Sequence, residues 1–355
     1  MRTVRQLNPR THFQRLMYKN ISVIGAGGWG TALAILLREN ATSVRLWAHR
    51  SVVADEINSE RTNRDYLPGI TIPDGIVASA DLASVVDDAD LLVLVTPSKA
   101  TREVTERMAA CRPRAGAAVV SCTKGIEHNT GLLMSDIVSE YLPDHPVAVL
   151  SGPNLAIEVA HGVPAAGVIG STEASILPAL QERFSTAMFR AYTSTDARGI
   201  QLGGALKNIF AIAAGAADGF GLGDNTKAGL VTRSLAEMMR LGEAMGGNRE
   251  SFYGLSGVGD LMVTCFSQHS RNRKFGERLG RGETPAQITA STQTVAEGVP
   301  TARSALQCAR KLGVEVPITE RVFAVIYENE SPRGAIEALL GRPPKAEANS
   351  DRRNG

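Results

Sequence analysis

From Ile21 onward, short apolar runs rich in β-branched residues alternate with stretches whose apolar positions recur at helical spacing. The runs are "ISVIG", "SVRLWA", "LLVLVT", "AAVVSC", "VAVLSG", "AAGVIG" and "MFRAYT". Helical patterns such as 31–39 and 174–186 lie between them. Strands that are apolar along their whole length need cover on both faces. The alternation therefore predicts an α/β architecture with a mostly parallel, doubly wound sheet.

After Ser194 the period changes. "GIQLGGALKNIFAIAAGAADG", "TKAGLVTRSLAEMMRLGEAMG", "RNRKFGERLGRG", "TARSALQCARKLG" and "ITERVFAVIYEN" all carry helical spacing, several with Gly after the last turn. The second half should be an all-α domain. The expected organisation is a flexible extension over 1–19, a dinucleotide-binding domain over 20–195, a helical substrate and catalytic domain over 196–343, and a disordered polar tail over 344–355. The basic first residues lack the apolar core of a secretory signal. They read as a flexible extension, or as a start assigned too early with Met17 the true beginning.

Composition narrows the partners. A chain of 355 residues, 43% hydrophobic and 21% charged, has material for two domains and a sizeable core. A net charge of +2 and only 5% aromatic residues argue against nucleic acid as a partner. No apolar run reaches the ~18 residues of a membrane span. The nearest, "NIFAIAAGAA", is bracketed by Lys207 and Asp218. Cys111, Cys122, Cys265 and Cys308 show no metal-site spacing, so no metal is expected. Buried thiols in a reducing cytoplasm account for them.

"GAGGWG" places Gly25, Gly27 and Gly30 in the G-x-G-x-x-G pattern, after an apolar strand and at the head of a helix. The first glycine allows the tight turn, the second admits a diphosphate against the backbone, and the third lets the helix pack on the sheet. About 20 residues further on, at the tip of the second strand, an NAD-binding turn calls for an acid. This chain has His49 and Arg50 instead. Cations there suit the 2′-phosphate of NADP; otherwise they are a solvated, basic strand end.

Other candidates follow from position. Lys124, in "TKGIE", follows a strand whose carboxyl end faces the ligand crevice, or is one more solvated lysine. Lys207 sits in a segment apolar almost all round, where a lysine must snorkel, pair or serve a site. Asp260 follows the glycine-rich "GLSGVG" and is either a helix cap or a site residue, with Thr264 one helical turn on. "SRNRKFG" reads as a helix capped by Ser270, with Arg271, Arg273 and Lys274 in its first turn. Cations there oppose the helix dipole, which is mild frustration or the making of an anion site.

The strings "GAGGWGTALA", "TKGIE", "SGPNLAIEVA", "QLGGALKNIFAIAAG", "GLSGVGDLMVTC", "SRNRKFG" and "AEGVPTAR" closely resemble the bacterial NAD(P)-dependent glycerol-3-phosphate dehydrogenases. The likeness runs from Ile21 to about Arg342. It implies a Rossmann-type domain, a helical domain and an active site between them. It also implies reversible reduction of dihydroxyacetone phosphate to sn-glycerol 3-phosphate, with NADPH preferred and NADH possible, in a cytoplasmic homodimer.

Matched motif by motif, the resemblance makes Lys207 the general acid/base, with Lys124, Asp260 and Thr264 beside it. Lys124, Gly152, Asn154, Lys207, Asp260, Ser270, Arg271 and Asn272 would contact substrate. Gly25, Gly27, Gly28, Trp29, Gly30, His49, Arg50, Lys124, Ala156, Arg271, Val295 and Glu297 would contact the cofactor. Asn154 departs from the Thr or Ser of many relatives. The rival readings are a related two-domain reductase of a hydroxy or keto acid, such as a ketopantoate type, and a non-catalytic dinucleotide-sensing module.

Overall fold

The structure, a computed structural model, describes residues 18–41, 43–292, 296–344, 346 and 347. Most of the expected extension and tail, and Val295, lie outside the described residues.

The chain opens with β1 (Asn20–Ile24), α1 (Gly28–Arg38), β2 (Ser43–Trp47), α2 (Ser51–Glu60), β3 (Ile76–Ser79), α3 (Leu82–Val86), β4 (Leu91–Leu94) and α4 (Thr101–Ala110). It continues with β5 (Ala118–Ser121), α5 (Met134–Tyr141), β6 (Val147–Ser151), α6 (Ala156–Ala160), β7 (Ala165–Gly170), α7 (Leu177–Phe184) and β8 (Phe189–Ser194). Among the described residues the strands form one eight-stranded sheet in the order β3-β2-β1-β4-β5-β6-β7-β8. All neighbours are parallel except β6 and β7. Every residue of β4 and β5 is buried, because helices cover both faces. After β1 the chain runs outward to β2 and β3, then returns to β4 on the other side. That reversal opens a crevice beyond the carboxyl ends of β1 and β4, where ligands of such sheets bind.

β3 is a strand that the apolar runs did not mark. It is four residues long, stands at the sheet edge and leaves Val77 59% exposed, so its buried signal reduces to alternate positions.

The helical half comprises α8 (Ala197–Gly219), α9 (Asp224–Ala244), α10 (Asp260–Phe266), α11 (Arg271–Gly280), α12 (Pro285–Ala290), α13 (Gly298–Leu312), α14 (Pro317–Tyr327) and α15 (Pro332–Leu340). α8 is its axis. The sequence has no continuous apolar run as long as a membrane span, but a helix with polar residues in it can still reach the length and mean hydropathy of one. α8 has 23 residues and passes that test of length and hydropathy, yet 83% of its most apolar stretch is buried by the rest of the protein. It is a core helix, packed against α9, α10, α11 and α13.

The two halves interlock. Ile126 and Leu133, from the segment between β5 and α5, lie in the helical core. Gln201 of α8 exchanges hydrogen bonds with Ser135 at the start of α5, at 3.0 and 2.7 Å.

Candidate active site

Two glycines of α8 make the notch in which the site is built. A Cβ on Gly203 would lie 2.6 Å from the carbonyl oxygen of Ser256, and one on Gly204 would collide with Ser151 and sit 3.6 Å from Lys124 Cδ. One turn on, α8 presents Lys207 to the same place. The segment Leu255–Gly259 winds as a wide helical turn and passes directly into α10.

Asp260 is the hub. Its carboxylate is 1% exposed, and its two oxygens face two different lysines. Lys207 Nζ donates to Oδ1 at 2.8 Å and to Thr264 Oγ1 at 2.6 Å. Lys124 Nζ, arriving from the end of β5, donates to Oδ2 at 2.5 Å and to the carbonyl of Gly152 at 3.2 Å. Thr264 in turn donates to the Asp260 carbonyl at 2.6 Å, which fixes its hydroxyl. Asp260 is therefore not a helix cap; that position belongs to Gly259.

Each ammonium carries three N–H groups, and two of each are spent on these partners. One donor on each lysine is left for a substrate. Burial lowers the Lys207 pKa to about 8; Asp260 resists that fall and the charge on Lys124 adds to it. Lys207 is thus poised to exchange a proton near neutral pH.

The N-terminus of α11 lies beside this cluster. Ser270 caps it, its hydroxyl accepting from Arg273 N at 3.2 Å. The N–H groups of Arg271 and Asn272 open the helix and have no acceptor within it. Arg271 is exposed, with Glu297 near enough to feel its charge. Arg273 does not join it. Its guanidinium turns inward to Asp218 at 2.6 Å and Glu277 at 3.2 Å, and Lys227 shares Asp218 at 2.8 Å. The Asn272 side chain is spent as well, donating to Asn208 Oδ1 at 2.8 Å and accepting from Gly298 N at 2.8 Å. It ties α8, α11 and α13 together and leaves mainly its backbone N–H to an anion. Asn208, absent from the sequence candidates, is buried one residue beyond Lys207 and supports this joint.

Asn154 donates to the carbonyl of Ala166 at 3.1 Å, while its buried Oδ1 has no partner. Gly152 adopts φ +138°, and a Cβ there would press on Gly167 Cα at 3.0 Å.

The glycine turn fits a dinucleotide. Gly25 has φ +123°, and a Cβ on it would lie 2.6 Å from the carbonyl of Val95. A Cβ on Gly30 would strike the carbonyl of Gly25. At Gly27 there is open space within 4 Å, so the one unobstructed face of the turn lies at the N-terminus of α1. Gly28 is covered by the carbonyl of Tyr66, 2.7 Å from a Cβ there, and Ala156 opens α6 close by. Trp29 is partly buried against the sheet core. His49 and Arg50 follow β2, both exposed. Glu297 accepts from Ser98 Oγ at 2.6 Å and Ser98 N at 3.2 Å, joining the end of β4 to the start of α13. Ser98 carried no motif; the link comes from residues 199 positions apart.

Residues 20–177 match the family model for the NAD-dependent glycerol-3-phosphate dehydrogenase N-terminus, and residues 196–337 match that for its C-terminus. The chain belongs to this family. Among glycerol-3-phosphate dehydrogenases (NAD(P)+), one from Geobacillus thermodenitrificans is 45% identical over 93% of this chain and 97% of its own length. One from Streptomyces griseus is 45% identical over 92% and 97%. The crystal structure of the glycerol-3-phosphate dehydrogenase of Coxiella burnetii superposes with a TM-score of 0.87 at 38% identity, covering 91% of this chain and 98% of that one. A ketopantoate reductase from Ralstonia eutropha shares the fold, at a TM-score of 0.56 and 19% identity over 89% of this chain and 99% of its own.

Proposed function

We propose that the chain catalyses the reversible NAD(P)H-dependent reduction of dihydroxyacetone phosphate to sn-glycerol 3-phosphate, supplying glycerophospholipid synthesis. The carrying observation is one buried lysine, Lys207, and one partly buried lysine, Lys124, on a single buried carboxylate, set beside a capped helix N-terminus. A hydroxy-acid reductase shares the fold but not this family, and a sensing module needs no lysine tuned near neutral pH.

The bound nicotinamide supplies the hydride. Lys207, protonated at neutral pH, donates its proton to the oxygen of the reduced carbonyl, and its charge stabilises that oxygen as negative charge develops. Asp260 and Thr264 hold two of its N–H groups, so the third points to one place. In the reverse direction neutral Lys207 accepts the hydroxyl proton. Lys124 turns its remaining donor to the substrate and stands beside the cofactor. Ser270, the N–H groups of Arg271 and Asn272 and the Arg271 guanidinium hold the substrate phosphate, with the helix dipole adding to them. Gly152 shapes the wall beside Lys124, and Asn154 meets the substrate through its amide.

Gly25, Gly27, Gly28, Trp29 and Gly30, with Ala156 alongside, would hold the diphosphate of the cofactor. His49 and Arg50 hold the adenosine end and favour NADPH, with NADH accepted. Glu297 would contribute to the cofactor side of the site, with Val295 assigned there by the resemblance alone, and the reading assigns no metal. A cytoplasmic homodimer is part of the same reading: the four free thiols fit a reducing compartment, and the dimer rests on the family resemblance. Sedimentation tests the dimer. Initial rates with dihydroxyacetone phosphate and either reduced cofactor test the reaction; absence of turnover with both would overturn it.

A further inference from the structure

The tip of β2 has cations where an NAD-binding sheet places an acid, and the fold brings an acid to the same spot from elsewhere. Arg50 Nη2 donates to Asp65 Oδ2 at 3.0 Å and to the Tyr66 hydroxyl at 3.2 Å, with its guanidinium 5.5 Å from the Tyr66 ring centre. Asp65 lies between α2 and β3, and its turn is fastened to the glycine turn. Buried Asn63 donates to the carbonyl of Ala26 at 2.9 Å and to Thr31 Oγ1 at 2.8 Å. Tyr66 N and Leu67 N then return to the carbonyl of Asn63 at 3.2 and 2.8 Å. The Tyr66 carbonyl covers Gly28, so this turn lies across the mouth of the dinucleotide site.

We propose that Asp65 is a specificity-determining residue: it supplies the ribose-binding carboxylate missing from the strand tip and, with Arg50, makes a site that accepts either nicotinamide dinucleotide. This rests on the cofactor reading above. With NADH, the Asp65 carboxylate accepts from the ribose hydroxyls of the adenosine. With NADPH, the 2′-phosphate takes Arg50 from Asp65 and is opposed by the remaining negative charge. The exchange is easy, because both side chains of the pair are about half exposed, at 48% and 56%, and such pairs hold weakly. A phosphate dianion is the stronger partner for a guanidinium. Asp65 thereby supports NADH and restrains NADPH, which makes the preference graded rather than absolute.

The test is calorimetric titration of NADH and NADPH into wild type, Asp65→Asn, Asp65→Ala and Arg50→Ala. Both Asp65 variants should weaken NADH about tenfold, the scale of one charged hydrogen bond, and tighten NADPH. Shifts of opposite sign are the signature, since a merely structural loss would move both cofactors the same way. Equal shifts for the two, or none, would overturn the role of Asp65. Arg50→Ala tests the underlying reading separately: it should weaken NADPH far more than NADH, and equal losses would show that this end does not hold the 2′-phosphate. Titration needs no turnover, so the result stands apart from the substrate assignment.

Discussion

Lys207 and Lys124 reach one carboxylate from opposite sides, 2.8 Å from Asp260 Oδ1 and 2.5 Å from Oδ2. One lysine comes from the core helix of the helical half and the other from a strand end of the sheet. The cluster exists only where the two halves meet. With both lysines protonated it carries a net positive charge, suited to an anionic substrate.

The first prediction concerns pH. Lys207 titrates at about 8, lowered mainly by burial. The reduction needs it protonated, so kcat/KM for dihydroxyacetone phosphate, which reports the free enzyme, should be level below pH 8 and fall above it. The oxidation needs it neutral and should rise through the same range. Initial rates in both directions from pH 6 to 10 give the two limbs, and parallel limbs would contradict the assignment.

Removing the shared charge should move those limbs. Asp260 holds the Lys207 pKa up against burial, so Asp260→Asn should lower it and shift the alkaline limb of the reduction to lower pH. The two lysines would also lose a common anchor, and kcat should drop roughly tenfold to a hundredfold. The pH profile separates this from simple misfolding, which lowers the rate without shifting the limb.

Two arginines in one helical turn should behave differently. Arg271→Ala should raise KM for dihydroxyacetone phosphate about tenfold to a hundredfold, the worth of a charge-assisted hydrogen bond to phosphate. Arg273→Gln breaks a largely buried pair with Asp218, the arginine side chain being 12% exposed, and with Lys227 still on that carboxylate should cost about 1.5 kcal/mol of stability. Thermal unfolding beside steady-state kinetics tells them apart: the first variant changes KM at constant Tm, and the second lowers Tm.

Much of this plan is written locally. The apolar strands, the glycine turn and the helical second half follow from patterns a few residues long, and the motif strings carry the family likeness. What sequence reading left open depends on contacts between distant segments. Lys207 could have snorkelled; it is Asp260, 53 positions away, that pairs it. Arg273 resembled Arg271 as a first-turn cation until Asp218 drew it inward. Asn208 looks like an ordinary helical polar residue and Asn272 is a candidate only through the resemblance, yet they bond each other across 64 positions and fix the N-terminus of α11. The turn bearing Asp65 and Tyr66 follows no repeating pattern, and only the folded chain lays it across Gly28.

The central claim is that buried Lys207 exchanges the substrate proton. Its most direct test is the rate of NADPH oxidation with dihydroxyacetone phosphate by wild type and by Lys207→Ala, with NADPH binding measured on both. The expected result is turnover by the wild type, a loss of about 100-fold to 10,000-fold in kcat for the variant, and retained NADPH binding. A variant that turns over at the wild-type rate would contradict it.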